Sequence, residues 1–241
     1  MAHYSAFNLR VIFILTLGSL TYGYAFSVIS NTLGQPGFLS YFSLTTNPSY
    51  TSRIEGAING LFSAGGTFGA LLVGYMCDRY GRKVTMNTAN IVCIIGGALQ
   101  TGSVNLAMLL VARFITGWGI GMMVVLIPIF QAEISPPSAR GLLVGQHGAL
   151  CYLCHYPSAI QQLVYLPGAW IVFGYAIAGW VGVGTYYSSN LSFQWRFPLA
   201  LQCVCPLALL CCSPLVPESP RWRAHHLFKW HSRDIGLTSP F

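Results

Sequence analysis

Six mainly apolar stretches of this 241-residue chain limit the folds open to it. A helix needs about 20 such residues to cross the hydrocarbon core of a bilayer. Charged side chains make up only 7% of the chain, against about 25% in an average soluble protein. The pattern predicts an all-α membrane protein with spans near residues 9–29, 55–76, 85–104, 107–130, 170–187 and 197–216.

The remaining composition argues against several other classes of protein. The first apolar stretch follows Arg10 and is longer than the core of a cleavable signal peptide. The net charge is +7, but the basic residues form no continuous stripe, so we expect no nucleic-acid partner. The eight cysteines lie mostly inside apolar stretches, which favours buried thiols over a disulfide framework. No nucleophile–base pair and no metal-ligand set is evident, so we expect neither an enzyme nor a cofactor.

The basic residues predict the orientation in the membrane. Cytoplasmic loops carry an excess of Lys and Arg. With a cytoplasmic N-terminus, Arg53 and Arg196 are the two basic residues outside. Nine are inside: Arg10, Arg79, Arg82, Lys83, Arg140, Arg221, Arg223, Lys229 and Arg233. The glycosylation sequon at Asn190 then faces outward, whereas the one at Asn47 is blocked by its proline. We expect an integral protein of the plasma membrane.

Glycines four residues apart recur in several spans. The pairs are Gly56/Gly60, Gly65/Gly69 and Gly117/Gly121, and the run Gly174/Ala178/Gly182 has the same spacing. Small residues at this spacing let helix backbones approach closely in lipid. They indicate ordinary bundle packing, or else smooth faces that also slide during a conformational cycle.

The sequence GYMCDRYGRK, residues 74–83, concentrates charge in one short turn between two spans. It resembles the G-x-x-x-D-R-x-G-R-[KR] signature between helices two and three of the major facilitator superfamily. RFITGWGIGMMVVLIPIFQAEISPPSARG and PESPRW resemble two sugar-porter patterns, and LGSLTYGYAFSVISNTLGQPGFLSYF is similar to fungal sugar and quinate permeases. The resemblance covers about residues 1–149 and 170–222. It implies the N-terminal six-helix half of a sugar porter, residues 1–222, followed by an atypical tail, residues 223–241.

The resemblance also implies a cytoplasmic gate of paired charges that separate when the transporter opens inward. Charges at such a gate bias a two-state element, although an inert surface ion pair remains an alternative for any single member. The gate residues would be Gly74, Asp78, Arg79, Gly81, Arg82, Lys83, Glu133, Arg140, Glu218 and Arg221.

A substrate site is expected among polar and aromatic residues of the spans. An ionised residue within a span is a functional candidate by default, and Arg113 is such a residue, unless it snorkels outward. Tyr22, Asn59, Asn90 and Gln100 supply ring, amide or hydroxyl groups that suit a sugar, although such groups also join helices.

Two positions depart from the pattern that the resemblance implies. Proton-coupled porters pair the arginine with an aspartate in helix one, where this chain has Ala25. Proton symport through this pair is therefore not expected, which favours facilitated diffusion or another coupling site. Gly148 stands near the position of a sugar-binding glutamine, with His147 before it, so that role does not transfer.

The stretch from Arg140 to Trp180 is too long for one span, and a second span would place PESPRW and its arginines outside. We therefore expect residues 150–169 to be an irregular insertion at the start of helix five. A retained intron of about 60 bases would explain it. The sequence CYLCH inside it matches the haem attachment motif C-x-x-C-H, but nothing else suggests electron transfer, and one C-x-x-C with His155 falls short of a four-ligand zinc site.

The function expected from these features is carbohydrate transport by alternating access. Because such transporters have two six-helix halves, we also expect the chain to be truncated after six spans. The partners would be a sugar, the lipid bilayer and a complementary six-helix half. Two alternatives remain open. One is a porter of another organic solute such as quinate, and the other is a pseudo-transporter fragment in the membrane that does not transport.

Overall fold

A computed structural model describes residues 6–44, 48–134, 166–219 and Trp222. These ranges form, in chain order, the α-helices α1 (Ala6–Leu33), α2 (Pro36–Tyr41), α3 (Pro48–Tyr80), α4 (Arg82–Thr101), α5 (Leu106–Ile134), α6 (Leu166–Tyr186), α7 (Leu191–Leu201) and α8 (Val204–Cys212). The described ranges contain no strand, which confirms the predicted all-α class. The proposed insertion, residues 150–169, lies almost wholly outside them, as do CYLCH, His147 and Gly148.

Every predicted span falls on a helix, with α7 and α8 sharing the sixth. Four segments are long and apolar enough to cross a membrane: Phe13–Leu33, Ser49–Tyr80, Leu106–Ile134 and Leu191–Leu215. The apolar part of α6, Trp170–Tyr186, is shorter, and α4 does not meet this criterion. The reason in α4 is its polar residues, of which Thr85, Asn90 and Gln100 are buried in the bundle.

The sixth span is broken near its middle. The turn at Gln202 and Cys203 separates α7 from α8. Pro206 has no N–H to donate to the carbonyl of Gln202, and its ring would crowd that carbonyl in a continuous helix. The break therefore follows from the position of Pro206.

Glycines set the closest helix contacts, as their spacing predicted. A Cβ on Gly65 of α3 would collide with the carbonyl oxygen of Phe114 in α5, and one on Gly121 of α5 with the carbonyl oxygen of Gly66. A Cβ on Gly174 of α6 would lie 2.7 Å from the carbonyl oxygen of Leu20 in α1. These contacts place α3 against α5 and α1 against α6.

The Gly56/Gly60 pair does not behave in this way. Nothing lies within 4 Å of a Cβ built on either residue. The pair belongs to a face of α3 that has no neighbour in the described part of the chain. Gly56 and Gly60 therefore make no close helix contact with the described residues, despite their spacing.

The buried core is arranged in three clusters along the bundle. One includes Leu15, Met122 and Phe130 and lies towards the α3–α4 turn, which we call the charged end. Another includes Phe38 and Trp195 at the opposite end. The small third cluster joins Ala25, Cys93 and Ile120, with Tyr22 and Phe62 packed against it.

Candidate functional site

The turn between α3 and α4 depends on Gly81. Its φ of +92° lies in the region that side chains with a Cβ rarely adopt. A Cβ at this position would also lie 2.9 Å from Oε1 of Glu218. Gly81 is therefore required both by its backbone conformation and by the approach of a carboxylate.

Arg82 connects the start of α4 to the end of α5. Its Nη2 donates to Oε1 of Glu133 at 2.8 Å, and its Nη1 donates to the carbonyl of Cys77 at 3.0 Å. The side chains of Arg82 and Glu133 are only 12% and 8% exposed, so water screens the pair weakly. Asp78 lies farther away, at 3.7 Å, and its side chain is 82% exposed. Glu133 is thus the main partner of Arg82.

Two side chains of the segment after α8, Glu218 and Ser219, bind at the start of α4 and the end of α5. Oε1 of Glu218 accepts the backbone N–H of Lys83 at 3.1 Å, near the N-terminus of α4. A carboxylate is favourable there because the first N–H groups of a helix have no partner within it. Ser219 is fully buried and its hydroxyl donates to Oε2 of Glu133. We call Arg82, Glu133, Glu218 and Ser219 the charged latch.

Some of the predicted gate residues lie outside this latch. Arg79 is exposed and donates to the hydroxyl of Tyr75 at 2.8 Å, which turns it away from Glu133. Lys83 takes part only through its backbone. Gly74 faces open space on α3. Arg140 and Arg221 lie outside the described residues.

Ser219 is the latch residue that sequence reasoning missed. It lies within the PESPRW segment, beside the predicted Glu218. A serine carries no charge, so a search for paired charges passes over it. Its position within the PESPRW segment was the one sequence feature that could have indicated Ser219 as a latch residue.

Arg113 is completely buried in the first third of α5 and makes no ion pair or hydrogen bond with the described residues. Its Cζ lies 5.8 Å from the ring centroid of Phe62, an arrangement that gives a cation–π attraction. It therefore does not snorkel outward. Ala25 is also buried, in the cluster against which Phe62 packs.

The other predicted substrate residues are spread over the bundle. Asn90 is fully buried, and neither polar atom of its side chain has a described partner. Gln100 donates to the hydroxyl of Thr116 and so joins α4 to α5. Asn59 is exposed on the open face of α3, and Tyr22 is half-buried on α1. The described residues do not bring these side chains into one closed pocket.

An aromatic cluster extends from Tyr22 across three helices. The ring of Phe26 in α1 lies 6.1 Å from Tyr22, 6.1 Å from Phe62 of α3 and 6.0 Å from Tyr175 of α6. Phe26 is 47% exposed, so the cluster forms an accessible aromatic wall. Sequence reasoning named Tyr22 alone, because aromatic residues within apolar spans resemble ordinary core residues.

Asn190 caps the N-terminus of α7. Its Oδ1 accepts the backbone N–H of Ser192 at 3.2 Å, and the residue is exposed between α6 and α7. Glycosylation of Asn190 stays a prediction, and a glycan on its Nδ2 leaves the capping oxygen free.

Comparison with known sequences identifies the family. Residues 11–152 and 157–234 match the family described as sugar (and other) transporter. The chain belongs to this family. The family is one of membrane transporters and not of enzymes, which confirms the class of protein predicted from the charged turn and the PESPRW segment.

Two curated relatives and a solved structure illustrate the match. The MFS-type transporter criB of Aspergillus cristatus is 36% identical over 87% of the chain and 40% of its own length. The high-affinity glucose transporter of Kluyveromyces lactis is 30% identical over 91% of the chain and 35% of its own length. The chain thus spans about 40% or less of these relatives. The partially occluded inward-open xylose transporter XylE from E. coli shares 24% identity, with a TM-score of 0.74 over 92% of this chain and 52% of that one. That likeness shows the fold of the N-terminal half.

Proposed function

We propose that this chain forms the N-terminal half of a porter that moves a sugar or a polyol-like acid across the plasma membrane by alternating access. The observation that carries the proposal is the charged latch. It ties α4, α5 and the segment after α8 together at one end of the bundle through a weakly screened ion pair. A rocking transporter needs a cluster that alternates between paired and separated states, and the charged latch supplies the paired one.

The remaining assignments follow from this proposal. The charged latch would face the cytoplasm, together with Arg140 and Arg221, and a complementary six-helix half would cover the open face of α3. Tyr22, Asn59, Asn90, Gln100 and Arg113 would contribute to binding or coupling. Residues 150–169 would be an insertion, which sequencing of mature transcripts across these codons tests.

Transport without proton symport is part of the proposal, because Ala25 supplies no carboxylate to Arg113. Uptake should then persist when a protonophore collapses the proton gradient. Alkalinisation of the medium on addition of solute would contradict this part of the proposal.

Uptake in a yeast strain that lacks its own hexose carriers tests the function. The chain is expressed alone and together with a C-terminal six-helix half taken from criB, and uptake of labelled D-glucose and quinate is measured. We expect uptake above the empty-vector control when both halves are present. Absence of uptake of both solutes, with both halves in the membrane, would favour a non-transporting membrane protein.

A further inference from the structure

Arg113 is a buried cation whose charge is not balanced by any described residue. It is fully buried, and its Nε, Nη1 and Nη2 atoms all lack a hydrogen-bond partner within the described ranges. Arginine keeps its proton in proteins, so the group cannot become neutral to avoid the cost of burial. A buried charge without a partner is strongly destabilising. The cation–π contact with Phe62 offsets only part of that cost.

The acidic residues within the described ranges offer Arg113 no partner. Asp78, Glu133 and Glu218 are engaged at the charged end. Glu55 makes no ion pair in the described ranges, and Asp234 lies outside them. Ala25, at the helix-one position that could hold a carboxylate, has none. The counter-charge therefore lies outside the described residues, and a molecule that enters the bundle is one source of it.

Phe62 connects Arg113 with the accessible aromatic wall. Its ring lies 5.8 Å from Cζ of Arg113 and 6.1 Å from the ring of Phe26, which is 47% exposed. A rotation of the Phe62 side chain is therefore expected to open the guanidinium to a molecule held at that wall. Gln100 contacts the same segment of α5, since its Nε2 is 3.5 Å from the carbonyl of Ala112, and its Oε1 is buried without a described partner.

We propose that the transported solute itself carries the missing counter-charge, as a carboxylate that pairs with Arg113. The inference rests on the proposed transport function and names its substrate class: a hydroxylated carboxylic acid in preference to a neutral sugar. The planar guanidinium matches a carboxylate with two parallel hydrogen bonds. The free Oε1 of Gln100 accepts a hydroxyl of the same molecule, and the aromatic wall covers its apolar face.

Uptake of matched pairs of probes tests the inference. The pairs are D-glucuronate with D-glucose, D-galacturonate with D-galactose, and D-gluconate with D-glucitol, each labelled and supplied at pH 6.5 to the carrier-deficient yeast described above. Within a pair the carbon chain is the same, and a carboxylate replaces a neutral group. The variants are Arg113→Gln, Arg113→Lys and the control Arg53→Gln, which removes a positive charge from an exposed position of α3.

We expect at least one acid to be taken up about tenfold or more faster than its neutral counterpart, the ratio that one charge-assisted hydrogen bond provides. Arg113→Gln should abolish that ratio, Arg113→Lys should retain part of it, and Arg53→Gln should leave it unchanged. If Arg113→Gln fails to reach the membrane, Ala25→Asp replaces it, since an internal carboxylate should compete with the acid and lower the ratio.

Three results would contradict the inference. Uptake of the neutral compound at a rate equal to or above that of its acid in all three pairs overturns the inference and leaves the proposed transport function standing. An unchanged ratio in Arg113→Gln overturns it as well. Uptake of none of the six probes, with both halves present in the membrane, overturns the transport function and the inference together.

Discussion

At the scale of single residues, the charged latch depends on a few atoms whose contacts can be removed one at a time. Arg82 and Glu133 form the buried ion pair. Nearby, the exposed Arg79 has the same charge as Arg82, and the exposed Asp78 has the same charge as Glu133. The GYMCDRYGRK segment therefore contains both functional candidates and matched controls.

Replacement of Arg82 tests the buried pair. Arg82→Gln leaves the Glu133 carboxylate with a hydrogen bond from Ser219 but no counter-charge, which should lower the free energy of unfolding by about 3 kcal/mol. Thermal unfolding of the purified protein in detergent measures the loss. Arg79→Gln is the control, since within the described ranges Arg79 contacts the exposed tyrosines Tyr75 and Tyr80, and it should change stability by less than about 0.5 kcal/mol. Equal losses in the two variants would show that the pair does not stabilise the fold.

Gly81 and Gly74 form a second matched comparison. Gly81→Ala forces a Cβ into a positive-φ position beside the Glu218 carboxylate and should destabilise the protein by about 1–2 kcal/mol. Gly74→Ala adds a methyl group in open space within a helix and should be neutral or stabilising by up to about 1 kcal/mol. Melting temperatures of Gly81→Ala and Gly74→Ala, each compared with that of the unchanged protein, measure the two effects on stability. A neutral Gly81→Ala would mean that the turn does not have this conformation.

At the scale of helices, small residues distinguish the faces that pack from those that stay open. Gly65 of α3 lies against the backbone of α5, whereas Gly60, little more than one turn away, has no neighbour in the described ranges. The same helix thus offers a tight face and an open one, which spacing alone did not separate.

This distinction predicts different effects of one added methyl group. Gly65→Ala should push α3 away from α5, with a loss of about 1–3 kcal/mol from overpacking. Gly60→Ala should be tolerated by the isolated chain. Retention of a single size-exclusion peak after heating compares the two variants. Tolerance of Gly65→Ala together with failure of Gly60→Ala would reverse the assignment of the two faces.

The helices themselves were largely predictable, because apolar runs near 20 residues leave few other solutions in lipid. The resemblance to sugar-porter signatures also led to Arg82, Glu133 and Glu218. Sequence reasoning missed three features, each for a physical reason. The hydroxyl of Ser219 carries no charge, Phe62 resembles any core aromatic, and the isolation of Arg113 depends on which helices surround it.

At the scale of the whole molecule, the chain combines a closed charged end with an interior that is incompletely satisfied. The charged latch holds three segments together, while Arg113 and Asn90 are buried without described partners. Buried polar groups of this kind are costly and mark functional sites in membranes. This combination fits a bundle that moves around a solute better than a static membrane anchor.

Counterflow in proteoliposomes tests the central claim, alternating access, most directly. Liposomes that contain the chain and its complementary half are preloaded with unlabelled solute, diluted, and supplied with a trace of labelled solute. A carrier that alternates between two states must accumulate label transiently inside, and we expect this overshoot. Arg82→Gln, which breaks the charged latch, should change its rate, whereas Arg79→Gln should not. Label that only equilibrates, or does not enter, with folded protein present in the liposomes would contradict the account.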